Sequence, residues 1–312
     1  MNAKYVTPML VLAVAVLAIA LFIRGGEVIT ALIINTTNSS YATVNITAGV
    51  PVMEAVKCYD ANDNPSTINL MGGGQRYVKC NTTIADVNGA YDMATFLGQI
   101  STSGAGACTA SNRNCYANTS CENTTLNATA FKVQCSYLLW YNSANTSQSG
   151  TWTGNITVVT LSGVQASGSG IIGTAELLAL GVDSTLAFGS RAANTNDSTI
   201  STSYSLKLYN YGNVEIDFQV NGSTMQCGSG SISAEYMHVN LTNGDTYSNA
   251  LPLTSTLQNS AYIKNYFNLT ANSTGTTETP LPPNKATYWG IGIPPAVSGN
   301  CQGTIWFAAV VS

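Results

Sequence analysis

The sequence predicts an all-β protein, two tandem sandwich or barrel domains behind an N-terminal hydrophobic helix. Three observations lead there. Short runs in which apolar and polar residues alternate with period two recur along the chain, separated by Asn, Gly and Ser clusters, as half-buried strands joined by turns do. No amphipathic helix of ordinary length competes with them. The polar half of the pattern is amide and hydroxyl: Asn (31), Ser (30) and Thr (38) far outnumber 11 Lys and Arg and 15 Asp and Glu. Charged residues make up 8% of the chain, against roughly 25% in an ordinary soluble domain. The third observation is that 45% of the 312 residues are hydrophobic, enough to fill about two cores at ~150 residues each.

The elements follow in order. From Met9 to Ile23 every residue is apolar, and Tyr5 to Pro8 lengthen the run, giving ~28 Å of helix at about 1.5 Å per residue, enough to cross a bilayer. Residues 1–26 are read as a transmembrane or signal-anchor helix that is retained, because Arg24-Gly25-Gly26 follows the run where a cleavage site of small residues would be needed. Residues 27–40 are a stalk. Residues 41–162 form the first domain, opening with Ala42, Val44, Ile46, Ala48 and Val50 alternating with Thr43, Asn45, Thr47 and Gly49. Its further strands are expected over 54–59, 75–85, 94–100, 131–141 and 154–161.

A Gly/Ser-rich stretch, 163–174, reads as a linker to the second domain, 175–312. Strands are expected there over 177–186, 204–209, 215–221, 233–241, 288–293 and 304–311. Tyr209-Asn210-Tyr211-Gly212-Asn213 lies between two alternating runs, which predicts a hairpin turn with Gly212 or Asn213 at positive φ. Residues 268–284, poor in apolar side chains, read as a long exposed loop. Trp140, Trp152, Trp289 and Trp306 all fall in strand-like runs, where packing in a core is the expected role.

Eight cysteines with no C-x-x-C pair point to disulfides and an oxidising compartment. Cys227 and Cys301 are the only cysteines of the second domain and are expected to pair. The six of the first domain can pair in many ways. Short polar spans between successive cysteines favour Cys58 with Cys80, Cys108 with Cys115 and Cys121 with Cys135, with a Cys80 to Cys135 bridge as the alternative. Glycosylation sequons begin at Asn35, Asn38, Asn45, Asn81, Asn118, Asn123, Asn127, Asn145, Asn155, Asn196, Asn221, Asn240, Asn268 and Asn272, about twice the number that chance placement gives. With so little charge to keep molecules apart, sugars near strand ends, as at Asn45, Asn81, Asn155 and Asn221, are expected to block pairing of sheet edges.

Cys80-Asn-Thr-Thr-Ile-Ala-Asp-Val-Asn-Gly-Ala-Tyr-Asp92, then Cys121 to Cys135-Ser-Tyr-Leu-Leu-Trp-Tyr141, then Gly150-Thr-Trp-Thr-Gly-Asn-Ile-Thr-Val158 resemble the Ig-like repeat of archaeal cell-surface proteins. Those repeats run as a Cys-bearing strand, a D-x-N-G-x-x-D turn, a Cys-bounded loop and a G-x-W strand. The second half, with Leu186 to Gly189, the Tyr-Gly-Asn turn and the terminal Gly303 to Ala308 strand, is similar to the Ig-like domain that often follows. The resemblance covers residues 41–312. It implies two tandem Ig-like β-sandwiches, supports the Cys121–Cys135 pair, and implies a place at the cell surface but no activity. The apolar N-terminus is similar to that of archaeal type IV pilins, but no short basic leader ending in Gly or Ala precedes it.

Several chemistries are disfavoured. A net charge of −4 offers no cationic face to a phosphate backbone. A single histidine, His238, leaves a triad or a His-based metal site hard to assemble. Gly168-Ser169-Gly170-Ile171-Ile172-Gly173 fits G-x-G-x-x-G but lacks the following helix and acidic residue of a dinucleotide site. Asp60-Ala61-Asn62-Asp63-Asn64 begins like a calcium loop, yet Pro65 and Met71 stand where Gly and Glu are required, so an Asx turn is expected. Asp86 and Asp92, around Asn88-Gly89, read as turn caps before they read as calcium ligands. No catalytic residue, metal ligand or cofactor is assigned. The expectation is a non-catalytic, membrane-anchored, glycosylated cell-surface protein of structural or adhesive role. Its partners would be the membrane, through the N-terminal helix, and N-glycans, with no nucleic acid. The alternative is a subunit of a pilus-like extracellular filament, self-associating through that helix or by strand addition.

Overall fold

The computed structural model describes residues 34–36, 39–41, 49–103, 105, 108, 112–259, 267–271, 274–276 and 279–312. They fall in two compact units, Met1–Gly49 and Val50–Ser312. The anchor helix expected over residues 1–26 lies outside the described residues, as do positions 42–48 of the first expected strand. In the first unit, β1 (Ile34–Thr36) pairs antiparallel with β2 (Ser39–Tyr41), a hairpin that runs from the expected stalk into Tyr41, the first residue of the expected first domain.

The second unit is all-β apart from short 3-10 turns and one four-residue helical turn, Thr146–Ser149, among the described residues. Its first half contains β3 (Val52–Met53), β4 (Lys57–Asp60), β5 (Thr67–Ile68), β6 (Gln75–Ala85), β7 (Met93–Thr102), β8 (Cys115–Asn118), β9 (Glu122–Thr125), β10 (Ala130–Trp140), β11 (Trp152–Thr160) and β12 (Gln165–Thr174). One sheet sets β3 and β4 beside β6, then β10 and β9; the other runs β5–β12–β11–β7–β8. Period two does the sorting. Val78, Cys80 and Ile84 of β6 and Phe131, Val133, Cys135, Tyr137 and Leu139 of β10 are buried against Ile100, Trp152, Ile156, Val158 and Ile172 of the facing sheet. The Val, Ile, Leu and Phe side chains among them each contribute about 1.5–3 kcal/mol on burial.

The stretch read as a linker, 163–174, is instead strand β12, antiparallel to β11 from Val159↔Gln165 to Trp152↔Ile172. Its glycines serve close approach: a Cβ on Gly168 would overlap Met53 Sδ, and one on Gly170 would overlap the carbonyl of Val56. The first sandwich therefore extends to Thr174, and the two sandwiches belong to one compact unit.

The second half contains β13 (Leu180–Val182), β14 (Thr195–Asn196), β15 (Ser201–Asn210), β16 (Ile216–Gly222), β17 (Met225–Gln226), β18 (Ser231–Ile232), β19 (Met237–Asn240), β20 (Leu251–Pro252), β21 (Gln258–Asn259), β22 (Thr274–Thr276), β23 (Thr279–Leu281), β24 (Asn284–Ile293) and β25 (Ile305–Val311). A large sheet runs β13–β15–β24–β19–β20, with β14 also on β24; a small one runs β21–β16–β25. Between them lie Leu206, Leu208, Ile216, Phe218, Val220, Trp289 and Ile291, with Phe218 and Phe267 edge to face at 4.8 Å.

Three expectations change here. Tyr209–Asn213 is not a hairpin turn: β15 and β16 belong to different sheets, so the chain turns a corner between layers, and neither Gly212 nor Asn213 takes a positive φ. Residues 268–284 are not simply an exposed loop, because Leu269 and Ala271 are buried, Leu269 bridges to Ile216, and β22 pairs with β23. Trp306 does not join a core: it faces outward from β25, 49% exposed, whereas Trp152 and Trp289 are fully enclosed.

Candidate functional site

Four disulfides join all eight cysteines: Cys58–Cys80, Cys108–Cys115, Cys121–Cys135 and Cys227–Cys301. Register explains two of them. Cys58 lies opposite Cys80 and Cys80 opposite Cys135, while Glu122 opposite Gln134 brings Cys121 level with Cys135. Four half-cystines thus form one row across a single sheet, on its core face. Cys80 and Cys135 are neighbours within that sheet, so the row has no inter-sheet bridge. Two sulfur pairs are bulky for the space between sheets, and the facing strands answer with glycine: a Cβ on Gly154 would overlap both sulfurs of Cys58–Cys80, and one on Gly98 would overlap Cys135 Sγ and the Tyr137 hydroxyl.

The sequons divide by exposure. Asn123, Asn127, Asn196 and Asn268 are exposed, and Asn81, Asn118, Asn155 and Asn221 are half-buried. Asn145 and Asn240 are buried, at 0% and 2% exposure, with their Nδ2 groups donating to Asn213 O (3.3 Å) and Asp245 Oδ2 (2.8 Å). A sugar on either would have to displace the fold around it, so both are withdrawn as sites on the folded protein. The side chains of Asn35, Asn38, Asn45 and Asn272 lie outside the described residues.

Asn145 belongs to a joint between the sandwiches. Asn213 Nδ2 donates to Ser143 O (3.1 Å) and Ala175 O (3.0 Å), and its Oδ1 accepts from Leu177 N (2.7 Å). Asn210 steadies the corner from within, donating to Val214 O (2.7 Å) and Leu269 O (3.0 Å) and accepting from Gly212 N (2.8 Å). Gly212 is required because a Cβ there would collide with Leu177 O. Tyr141 and Tyr211 meet edge to face at 5.8 Å, and Gly73 N donates to Tyr211 O (3.2 Å). Nothing local in Tyr-Gly-Asn signals this joint; the partners of the Asn213 side chain lie 36 to 70 residues away in sequence.

The other singled-out groups are structural in their contacts. Asp60 Oδ1 accepts from Asn62 N (2.8 Å) and Asn64 N (3.0 Å), and its Oδ2 faces Arg76 (3.3 Å), an Asx turn closed by an ion pair. Asp86 Oδ1 accepts from Asn88 N (2.8 Å) and Asn88 Nδ2 donates to Asp92 Oδ2 (3.4 Å). His238 stacks on Tyr247 at 3.9 Å, its Nδ1 on Tyr247 O at 2.8 Å, and burial lowers its pKa. Among the described residues, no group of three His, Cys, Asp or Glu side chains converges as metal ligands would.

A cleft of about 880 Å³ in the second sandwich is walled by Phe188, Ile232, Ile293, Val297 and Cys301, with Arg191 at its side. That guanidinium is occupied, 3.2 Å from Asp197 and 4.6 Å over the Tyr204 ring. A second cleft, of about 550 Å³ in the first sandwich, is lined by Ser66, Thr67, Thr146, Thr151, Ile171 and Thr174. Both offer hydroxyls, backbone and apolar walls; neither lining contains a carboxylate pair or a nucleophile beside a base.

No protein family's sequence profile matches the chain, and no curated protein matches it. Solved structures with some likeness include the secreted serine protease VesC from Vibrio cholerae, at 10% identity and TM-score 0.18. That match covers 82% of this chain and 51% of the protease, so the chain spans about half the protease's length. The C-terminal domain of the AgI/II polypeptide BspA from Streptococcus agalactiae matches at 8% identity and TM-score 0.21, over 84% of this chain and 96% of that one. Likeness at this level carries no argument about fold or function.

Proposed function

We propose that the chain is a non-catalytic, glycosylated cell-surface protein, anchored in the membrane by its N-terminal apolar run, that displays two Ig-like sandwiches as a structural or adhesive module. The observation that carries this reading is the pairing of all eight cysteines, three bridges in one sandwich and one in the other. Bridges of this density persist in oxidising compartments and are rare where glutathione keeps thiols reduced. Exposed sequons at Asn123, Asn127, Asn196 and Asn268 support it, since sugar there hydrates a surface that has little charge. The joint at Asn213 supports a display role, because it fastens the two sandwiches to each other.

Treatment of intact cells of the source organism with a membrane-impermeant amine-reactive biotin tests it. The chain should be labelled before lysis and stay with the membrane fraction. Labelling only after lysis, or recovery from the cytosol with free thiols, would contradict the reading.

A further inference from the structure

Strand β25 ends the small sheet of the second sandwich, and its outer edge pairs with nothing among the described residues. Register shows which groups that leaves free. Ser223 N donates to Thr304 O (2.9 Å) and Ser312 N to Glu215 O (3.3 Å). With β16 and β25 aligned from Gly222↔Ile305 to Ile216↔Val311, bonded and non-bonded pairs alternate between those two ends, so Trp306, Ala308 and Val310 turn their backbone groups towards β16. The N–H and C=O of Ile305, Phe307, Ala309 and Val311 therefore face outward in a row. Ile305, Phe307 and Ala309 also pack on the core, yet are only partly covered, whereas Val220 and Phe218, opposite Phe307 and Ala309, are fully enclosed.

Among the described residues, no other sheet end is built this way. The remaining terminal strands are two to four residues long, and several carry a guard: Lys57 in β4, Glu122 and the Asn123 sequon in β9, Pro252 in β20. The flank of β12 that β5 leaves uncovered is glycine and serine from Ser167 to Gly170. β25 has seven residues with no charge, proline or sequon, a combination that marks an edge for pairing. Strand order agrees. β13–β15–β24–β19 and β16–β25 follow the immunoglobulin order A-B-E-D and C-F, and the place beside β25 is that of the seventh strand.

We propose that this place is filled by β25 of a second copy, antiparallel, which joins two small sheets into one about a twofold axis at Ala308. The edge is self-complementary. The register that uses every outward group sets Ile305 opposite Val311 of the copy and Phe307 opposite Ala309, large against small, with Ala308 opposite itself. The absence of charge removes the repulsion that a self-paired edge would otherwise meet. An isologous contact of this kind closes at two copies and leaves no further β25 edge open.

The test uses the full chain, purified in detergent because of its apolar N-terminal run, carrying Ala308→Cys. At the axis the two Cα atoms form a non-bonded antiparallel pair about 4.5 Å apart, within disulfide range. Air oxidation should give a covalent dimer, with peptide mapping joining position 308 to position 308 and Cys227–Cys301 intact. A control cysteine at an exposed outer-face position, Ser167→Cys, should give at least tenfold less. Adding Ala309→Pro, which removes an outward N–H and none of the bonds to β16, should lower the Ala308→Cys dimer to the control level. Sedimentation of the unaltered chain should give a two-copy mass. Equal cross-linking at position 167, a yield untouched by Ala309→Pro, a monomer, or an open-ended series of oligomers from strand addition by residues 41–50 would each overturn the proposal. Such a failure leaves surface display standing, because that reading rests on the pairing of the cysteines and the exposed sequons.

Discussion

Asp60 and His238 show how single titratable groups tie this fold to pH. Burial by itself would raise the Asp60 carboxyl, but the Asn64 and Asn62 amides and the Arg76 guanidinium outweigh it and hold its pKa below the ordinary 3.8. A depressed carboxylate contributes stability above its unfolded pKa and loses it as pH falls through the folded value. For His238, burial outweighs the carbonyl of Tyr247 and lowers the pKa from 6.5. The folded protein thus prefers the neutral ring, and stability is lost once pH falls below 6.5, where the unfolded chain takes up the proton first. Urea midpoints measured against pH should fall in two stages, one starting below 6.5 and one below 3.8. His238→Gln should remove the first stage and leave the second; a profile unchanged by that substitution would contradict the assignment. The Asx turn at Asp60 was legible in sequence, because its signal lies within five residues. The burial of Asn145 was not, because a sequon is a three-residue pattern and burial depends on Asn213, far along the chain.

At the scale of elements, the core strands of both sandwiches were legible wherever inward and outward side chains differ, as in β6 and β10. β12 was not: glycine has no side chain to alternate, so a strand pressed against Met53 and Val56 reads like a flexible linker. The corner at Tyr209–Asn213 was misread for a related reason, since two alternating runs around a turn look alike whether they share a sheet or face each other. The disulfide row gives the sharpest test of this scale. Gly154→Ala places a methyl group into the Cys58–Cys80 sulfurs and should destabilise by about 1–3 kcal/mol, as overpacking does. In a Cys58→Ala, Cys80→Ala background the same change should cost much less, and thermal unfolding of the four proteins gives the coupling. Equal cost in both backgrounds would show that the glycine is not there for the bridge.

For the whole molecule, the sequence divides the chain at a linker, whereas the structure fastens the two sandwiches through the three side-chain hydrogen bonds of Asn213. Its Nδ2 and Oδ1 satisfy buried backbone groups on both sides of the joint, and leaving such groups unpaired costs about 1–3 kcal/mol each. Calorimetry of the native chain should therefore show one transition for residues 50–312. Asn213→Ala should lower its midpoint and split it in two as the sandwiches lose their coupling; a single, unshifted transition would mean that the joint carries little.

The reading of this protein as an exported surface module predicts where sugar is and is not attached. Site-resolved glycopeptide mapping of the chain isolated from its own cells tests that most directly. The account predicts glycan at the exposed Asn123, Asn127, Asn196 and Asn268 and none at the buried Asn145 and Asn240. A chain without sugar at any exposed sequon, or with full occupancy at Asn145, would contradict it.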